Sequence, residues 1–369
     1  MLIMVILEFT FRFLPVSEPP NRVLPTRDDP IVRYYPNDEW LYSVAWNFVI
    51  VNQTRTNNKG WVSDIDYVKD AETPLLAFVG DSFVQAGQLP WRDSCHGRLS
   101  TKLDGQIRVY SFGHNAAPLS QYLGYAQYIR DTYSPVGLVI PIIENDFDQS
   151  FRHAIKQTRH HMFFAFEEAP NGELVLVPPA VKAYKEPTSW FVALNRWVSQ
   201  HSSLVRYRTN HVRDRFFPVW DDGTQESQFS PTASATAHPD TVQWARRATD
   251  AFLRMLPEKS GLDPARIVFV VDGLRPLHYT EGWEDQLDGS FHGVLRRYFK
   301  DQARADGYEV IDMHPVFVDH YRSHKEPFNW TRDKHWNALG HGLCAEQVAQ
   351  SHVMKQVVTA ASPMMGGAR

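Results

Sequence analysis

A run of apolar residues that ends abruptly at Gly80-Asp81-Ser82 constrains this chain more than any other stretch. Residues 75–79 have the length of a fully buried strand, although periodicity alone also permits a buried helix segment. A serine at this point would stand at the carboxyl end of a central parallel strand, where open α/β sheets place their sites. Alternatively, Asp81 and Ser82 only cap the helix that follows.

An Asp-x-His-Trp block near the C-terminus contains Asp333 and His335. A serine hydroxyl is a weak nucleophile and needs a nearby base that a third group orients. Ser82, His335 and Asp333 are the residue types that this chemistry requires. Because residues two apart cannot share a helix face, we expect both on a loop that turns them toward one point. His341 is a rival base, but its expected place on the following helix favours a structural role.

Two further polar stretches each follow an apolar run, one at Gly113 and one at Asn145-Asp146. The Ser82 amide, the Gly113 amide and the Asn145 side chain could together surround a developing oxyanion. We expect Asp146 to brace the loop that carries Asn145, and Asp81 to fix the turn that carries Ser82.

At these residues the sequence resembles the SGNH (GDSL-type) hydrolases, whose four blocks carry Ser, Gly, Asn and His in this order. The resemblance spans about residues 75–353 and rests on Gly80-Asp81-Ser82, Gly113, Asn145-Asp146, and Asp333 with His335. The Asp-x-His-Trp form is similar to the polysaccharide O-acetylesterase and O-acetyltransferase branch. There are two departures. The commonest last block spaces Asp and His by three residues, and Ile143 stands where the third block usually has Gly.

The resemblance implies a flavodoxin-like three-layer α/β/α sandwich with a central, mostly parallel five-stranded sheet and a long insertion. It also implies a serine-dependent esterase or acyltransferase with an acyl-serine intermediate, acting on O-acyl groups, foremost O-acetyl groups of a carbohydrate or envelope polysaccharide. A lipase or thioesterase on the same machinery is the alternative. A non-catalytic carbohydrate-binding protein is a second one, although it would not need Ser82, Asp333 and His335 together.

The order of apolar runs supports the same fold class independently of the resemblance. Strands alternate with helical patterns, which predicts right-handed crossovers and a parallel sheet. The predicted strands begin at Leu75 and otherwise cover Ile107–Phe112, Gly137–Ile143, Ile267–Val271 and Tyr308–Ile311.

We divide the chain into residues 1–16, an N-terminal arm of residues 17–74 that packs on the core, and the hydrolase domain of residues 75–369. The first segment opens with seven apolar residues, too few to span a bilayer, which needs about 20. It is either the remnant of a membrane anchor or an amphipathic or core helix. Residues 40–51 are aromatic and apolar, which predicts a strand or hairpin lying against the main domain.

Residues 151–260 are too long for a single crossover connection. We predict a hairpin near 173–177, helices over 190–204 and 241–255, and a polar loop over 223–238. This insertion is interpreted either as a lid or substrate platform over the active site, or as a surface excursion without a role.

Composition excludes several other functions. With 38 Lys and Arg against 42 Asp and Glu, the net charge of −4 gives no field for nucleic acid. Cys95 and Cys344 are too few for a disulfide framework or a zinc site, and no cofactor or metal is expected.

The expected partner is a small-molecule or polysaccharide ester, with membrane association through the N-terminus; the oligomeric state is left open. We expect a bacterial cell-envelope location, periplasmic or membrane-anchored, with the cytoplasm as the alternative.

Overall fold

A computed structural model of the chain describes residues 2–69, 72–147, 150, 162–180, 189–212, 239–273, 290–330 and 333–365. The predicted insertion is therefore described only in part: residues 151–161, 181–188 and 213–238 lie outside the described residues, and the last of these ranges contains the predicted polar loop.

Thirteen strands lie in the described residues. They are β1 (Arg22–Val23), β2 (Arg33–Tyr34), β3 (Glu39–Val44), β4 (Ile50–Arg55), β5 (Leu75–Gly80), β6 (Arg108–Gly113), β7 (Gly137–Ile142), β8 (Ala165–Glu168), β9 (Leu174–Val177), β10 (Ile267–Val271), β11 (Glu309–Asp312), β12 (Asn329–Trp330) and β13 (Asp333–Trp336).

The helices of the described residues are α1 (Leu2–Phe11), α2 (Ser82–Gln85), α3 (Cys95–Leu103), α4 (Leu119–Tyr133), α5 (Trp190–His201), α6 (Ser203–Tyr207), α7 (Pro239–Ser260), α8 (Phe291–Ala305), α9 (Met313–His324), α10 (Ala338–Gln350) and α11 (His352–Met365). Single 3-10 turns cover Trp91–Asp93, Glu144–Asp146 and Pro264–Arg266, and a π-helical turn covers Arg208–Val212.

The central sheet has five strands in the order β11-β10-β7-β5-β6, and every neighbouring pair is parallel. The predicted five-stranded α/β/α sandwich is confirmed, and its sheet is fully rather than mostly parallel. The long apolar runs reflect this arrangement, because a parallel sheet is covered by helices on both faces.

Alternate side chains of each strand enter different cores, as the two-residue period of a strand requires. In β5, Leu75, Ala77 and Val79 pack on one face of the sheet, and Leu76 and Phe78 pack on the other. Helices α4, α7 and α8 cover the first face, whereas α3, α9, α10 and α11 cover the second. Two layers of helices thus enclose the sheet and leave its carboxyl edge for the connecting loops.

Helix α7 differs from the sequence-based division, which placed it inside the insertion of residues 151–260. Its residues Ala248, Phe252 and Leu256 are fully buried in the core that α4 and the sheet share. The helix therefore belongs to the α/β/α layers and forms part of the crossover that leads into β10. Its apolar face could be read from the sequence, but the element on which that face packs could not.

The arm of residues 17–74 is joined to the core by buried aromatic side chains. Trp61 lies edge-on to Phe112 of β6, and the Tyr67 hydroxyl bonds the Ser111 carbonyl at 2.9 Å. Strands β3 and β4 form an antiparallel hairpin in which Tyr42 lies opposite Asn52. This hairpin reaches the edge of the sheet at which the strands end.

The turn of that hairpin contacts the segment that follows α6. The His211 ring bonds the Ala45 carbonyl through Nδ1 at 2.9 Å and accepts the Ser17 amide through Nε2 at 3.0 Å. The Tyr207 hydroxyl donates to the Trp46 carbonyl at 2.9 Å. The segment of residues 207–211 within the insertion therefore packs on the N-terminal arm.

The two cysteines lie side by side, which their separation in the sequence did not indicate. Cys95 begins α3 and Cys344 lies in α10; both are buried, and their sulfur atoms are 2.9 Å apart. Burial raises the pKa of the Cys95 thiol well above its ordinary value. The pair joins two helices of the same layer.

Candidate active site

The turn after β5 presents Ser82 at the first position of the short helix α2. The Asp81 carboxylate caps that helix by accepting the Phe83 amide at 2.9 Å. Ala86 ends it in the left-handed region, with φ at 51°. Asp81 and residues 83–86 are buried, whereas Ser82 is partly exposed. A tightly packed turn therefore offers one hydroxyl to solvent.

His335 is the basic group that contacts this hydroxyl. Its Nε2 lies 2.8 Å from the Ser82 Oγ, and its Nδ1 is hydrogen-bonded to Asp333 Oδ1. This fits the tautomer in which Nδ1–H donates to the carboxylate and Nε2 accepts the serine proton. The structure brings the three residues into the order serine, imidazole, carboxylate that activates a hydroxyl for acyl transfer.

The two-residue spacing of Asp333 and His335 follows from a strand, where the sequence suggested a loop. Both residues belong to β13, which pairs with β12, and alternate residues of a strand point to the same side. Trp336 points the other way and is buried, with its Nε1 donating to Asp272 Oδ1 at 2.9 Å. The aromatic ring thus holds the strand on the core while the opposite side of β13 faces Ser82.

Asp333 is held by a second donor that the motifs did not reveal. The Tyr42 hydroxyl of β3 donates to Asp333 Oδ2 at 2.6 Å, and the His335 amide donates to Oδ1 at 2.9 Å. Burial alone would raise the pKa of Asp333, but the charge of His335 and these hydrogen bonds outweigh it and lower that pKa well below its ordinary value. Asp333 therefore remains ionised beside the imidazole.

The same contacts keep Tyr42 protonated. Burial, followed by the neighbouring charge of Asp333, raises the pKa of Tyr42 well above its ordinary value. Tyr42 lies in an aromatic stretch that predicted a hairpin, but nothing in that pattern distinguishes a tyrosine that bonds a carboxylate from one that only packs. Chain topology alone brings β3 to Asp333.

The three residues predicted for an oxyanion hole lie at the carboxyl ends of neighbouring strands. Ser82 follows β5, Gly113 ends β6 opposite Gly80, and Asn145 lies in the 3-10 turn after β7. The backbone at Asn145 is described, whereas its side chain lies outside the described part. The structure therefore places all three at one edge of the sheet.

Close packing explains the glycine at position 113. A Cβ at Gly113 would stand 2.4 Å from the Gln85 amide nitrogen and 2.8 Å from the Asp81 carbonyl oxygen. Both are backbone atoms of the serine turn, so they cannot move aside as a side chain would. Only glycine allows β6 to approach that turn so closely.

Asp146 braces the turn that carries Asn145. Its carboxylate accepts the Ile143 amide at 2.7 Å and the Tyr122 hydroxyl at 2.8 Å. Glu144, in the same turn, accepts Lys334 Nζ at 3.0 Å. This ion pair connects the turn after β7 to β13 and was not indicated by any motif.

His341, the rival base, does not contact Ser82. Its ring is buried in α10, where Nδ1 accepts the Cys95 amide at 3.2 Å. Burial, and then the neighbouring His96 and His335, lower the pKa of His341 well below its ordinary value. It therefore stays neutral and fastens α10 to the start of α3.

The chain matches no protein-family model, and no curated protein matches it. Solved structures similar to it include a member of the lipolytic G-D-S-L family from Veillonella parvula, 9% identical, covering 76% of this chain and 98% of that chain with a TM-score of 0.37. An acetyl xylan esterase is 12% identical, covering 74% and 97% with a TM-score of 0.36.

A two-domain esterase active on acetylated mannans is also similar. It is 11% identical, and the likeness covers 78% of this chain and 50% of that chain with a TM-score of 0.35. At these identities and scores the likenesses do not bear on the chemistry, which rests on the geometry of the site.

Proposed function

We propose that this chain is a serine esterase or acyltransferase of the SGNH (GDSL) type, acting through an acyl-Ser82 intermediate. The proposal rests on one observation: His335 Nε2 lies within hydrogen-bond distance of the Ser82 Oγ while Asp333 holds the opposite ring nitrogen. A structural histidine would not need both contacts in this order.

In the first step the Ser82 oxygen attacks the ester carbonyl carbon as its proton passes to His335 Nε2. The carbonyl oxygen becomes an oxyanion, the ester bond then breaks, and the protonated imidazole returns the proton to the departing alkoxide. The ionised Asp333 stabilises the imidazolium that exists between these events. Water or a sugar hydroxyl repeats the sequence on the acyl-enzyme and releases Ser82.

We assign the oxyanion to the amides of Ser82 and Gly113 and to the Asn145 side chain. An ester carbonyl that Ser82 attacks at the end of β5 develops its negative oxygen among the carboxyl ends of β5, β6 and β7, where these three residues lie. Donors fixed before the reaction stabilise the developing charge without reorganisation.

For the substrate we propose an O-acyl group, foremost an O-acetyl group, on a carbohydrate of the cell envelope. The support is the Asp-x-His-Trp form of the last block, which resembles the polysaccharide branch of the superfamily. Hydrolysis and transfer use the same residues and differ only in whether water or an acceptor hydroxyl reaches the acyl-enzyme.

The test is hydrolysis of a short acyl ester by the purified chain, compared with Ser82→Ala and His335→Ala. Each substitution should lower kcat on the order of 10⁴-fold or more, as loss of a nucleophile or its base does elsewhere. His324→Ala, which changes an exposed histidine at the end of α9, is the matched control and should keep full activity.

An oligosaccharide acceptor then separates the alternatives. Acetylated product in its presence identifies a transferase, and unchanged release of acid identifies an esterase. A preference for long acyl chains or thioesters would favour a lipase or thioesterase. Undiminished turnover in folded Ser82→Ala would overturn the proposal, and oligosaccharide binding without any turnover would indicate a binding protein.

A further inference from the structure

Helix α1 exposes apolar side chains around its whole circumference. Leu2, Ile3, Met4 and Val5 occupy one complete turn, and each is at least 60% exposed. Ile6 and Phe9 continue the surface at 54% and 64%. A helix turn that is apolar all round is ordinarily buried, so the first turns of α1 require an apolar environment on more than one side.

Helix α5 adds an exposed aromatic face. Trp190, Leu194 and Trp197 follow one another at the four- and three-residue spacing of a helix stripe, with Phe191 beside them. Trp190 is 76% exposed and Trp197 is 58% exposed. Burial of such large aromatic side chains against an apolar partner would remove a large apolar area from water, which favours binding at this face.

The two helices are fixed to each other. The Glu8 carboxylate of α1 accepts the Ser202 hydroxyl at 2.6 Å and the amides of Ser203 and Leu204 at 3.1 Å. Residues 202–204 form the junction of α5 and α6. The ring of Phe11 in α1 also packs on the ring of Tyr207 in α6, with 4.6 Å between their centroids. The second half of α1 is thereby fixed to the junction of α5 and α6. We call the exposed apolar residues of α1 and α5 the docking surface.

The segments that carry the docking surface are basic, although the chain as a whole is not. Residues 189–212 contain three arginines and no Asp or Glu, and residues 1–16 add Arg12 and Glu8. Glu8 is the only acidic residue of the two segments, and its oxygens are bonded to residues 202–204 and to Arg12. Arg206 pairs with Glu18 of the arm at 3.7 Å, which leaves Arg196 and Arg208 as the further cationic residues of these segments. An anionic partner suits this region of a chain whose net charge is −4.

We propose that the docking surface binds an anionic phospholipid bilayer. Lipid can cover every exposed side of the first turns of α1, whereas a second protein copy would cover one side. At 1.5 Å per residue, α1 is about 15 Å long, which is about half the hydrocarbon thickness of a bilayer. The tryptophans of α5 suit the headgroup level, where aromatic rings collect.

Among the helices that the structure describes, none is long and apolar enough to cross a bilayer. The binding that we propose for α1 and α5 is interfacial, with their apolar side chains at the boundary of headgroups and acyl chains. Neither helix contributes a residue to the active site described above, so binding to lipid does not require the esterase chemistry.

The experiment is flotation of the full chain with phosphatidylcholine vesicles, with and without phosphatidylglycerol. The chain should float with both kinds of vesicle. A larger fraction should float with the anionic vesicles, and added salt should lower that excess. Replacing Trp190 and Trp197 together by serine, or Ile3 and Ile6 together by glutamine, should lower partitioning by about tenfold or more. Hydrolysis of a soluble ester should remain at the wild-type level in both variants, which shows that they fold.

Val68→Ser and Val358→Ser are the matched controls, since these exposed valines lie outside the docking surface. They should float like the wild type. A wild-type chain that stays with the lipid-free fraction would overturn the proposal. Equal flotation of the paired variants would do the same, as would a concentration-dependent dimer that the tryptophan variant abolishes, because a second copy would then cover the surface.

Discussion

The hydroxyl of Tyr42 lies 2.6 Å from Asp333 Oδ2 and donates its proton to that oxygen. The other oxygen, Asp333 Oδ1, accepts hydrogen bonds from the backbone amide and the ring Nδ1 of His335. Both oxygens of the carboxylate are thereby occupied, one by the N-terminal hairpin and one by the residue that contacts Ser82. The arm of residues 17–74 is therefore part of the support of the active site.

Replacing Tyr42 by phenylalanine should lower kcat and leave KM nearly unchanged, because Asp333 is needed to orient and stabilise the imidazolium. A hydrogen bond to a charged group is worth about 1.5–3 kcal/mol, which corresponds to roughly 10–100-fold in kcat. Tyr35→Phe, which changes a half-exposed tyrosine of the same arm, is the control. Steady-state kinetics showing an unchanged kcat for Tyr42→Phe would exclude this support role.

Alanine at position 113 should impair both folding and activity. Its Cβ would be driven into the backbone of the serine turn, and overpacking of this kind costs about 1–3 kcal/mol. A lower melting temperature and a lower kcat should appear together. Gly342→Ala is the matched control, because its Cβ meets only the Arg98 side chain at 3.7 Å. A fully active, equally stable Gly113→Ala protein would contradict the close approach.

Asn145→Ala separates stabilisation of the oxyanion from proton transfer. If Asn145 acts only on charge that develops in the transition state, kcat should fall by roughly 10²–10³ with little change in KM. Asn171→Ala, in a surface turn, should have no such effect. Kinetics and a melting curve on one preparation decide the matter: a normal kcat in the folded variant removes Asn145 from the site, and a parallel loss of stability makes it a bracing residue.

Acid should destabilise the fold through its buried neutral histidines. Burial lowers the pKa of His96 from 6.5 to about 3, so the unfolded chain binds a proton between those values that the folded chain does not. Stability attributable to His96 is therefore complete above pH 6.5 and declines as the pH falls, by about 2 kcal/mol at pH 5.

Denaturant unfolding of His96→Leu at pH 7.5 and pH 5 tests this relation. The change in the free energy of unfolding that the substitution itself causes is present at both pH values, so it cancels when the two are subtracted. The loss of stability on acidification should be about 2 kcal/mol smaller in the variant than in the wild type. Equal losses would show that His96 does not govern this part of the acid response.

The fold could be predicted because its sheet is buried on both sides. Such strands are continuous apolar runs, and the runs at Leu75, Gly137 and Ile267 each became a sheet strand. Helix α7 could not be placed in the same way. Its apolar stripe predicted a helix, but whether that stripe faces the sheet or an insertion depends on residues far away in the sequence.

The site shows the same division. Ser82, Asp333 and His335 could be named from residue type and order, since few arrangements activate a serine. Tyr42 and the pair of Lys334 with Glu144 could not, because their partners are distant in sequence and their surroundings carry no motif. The spacing of Asp333 and His335 was informative, but its explanation required the pairing of β13 with β12.

The hairpin of β3 and β4 connects Asp333 to the end of α6 and the turn that follows it. Tyr42 lies on β3, and Ala45 begins the turn that follows this strand. The Ala45 carbonyl is bonded to His211, and the Tyr42 hydroxyl donates to Asp333. A lipid-bound position of α5 and α6 that moves the hairpin turn must also move Tyr42. Vesicles would then change the turnover of a soluble ester, as in interfacial activation. By reciprocity, a reversible active-site inhibitor would change the affinity for vesicles by the same factor by which vesicles change the affinity for the inhibitor.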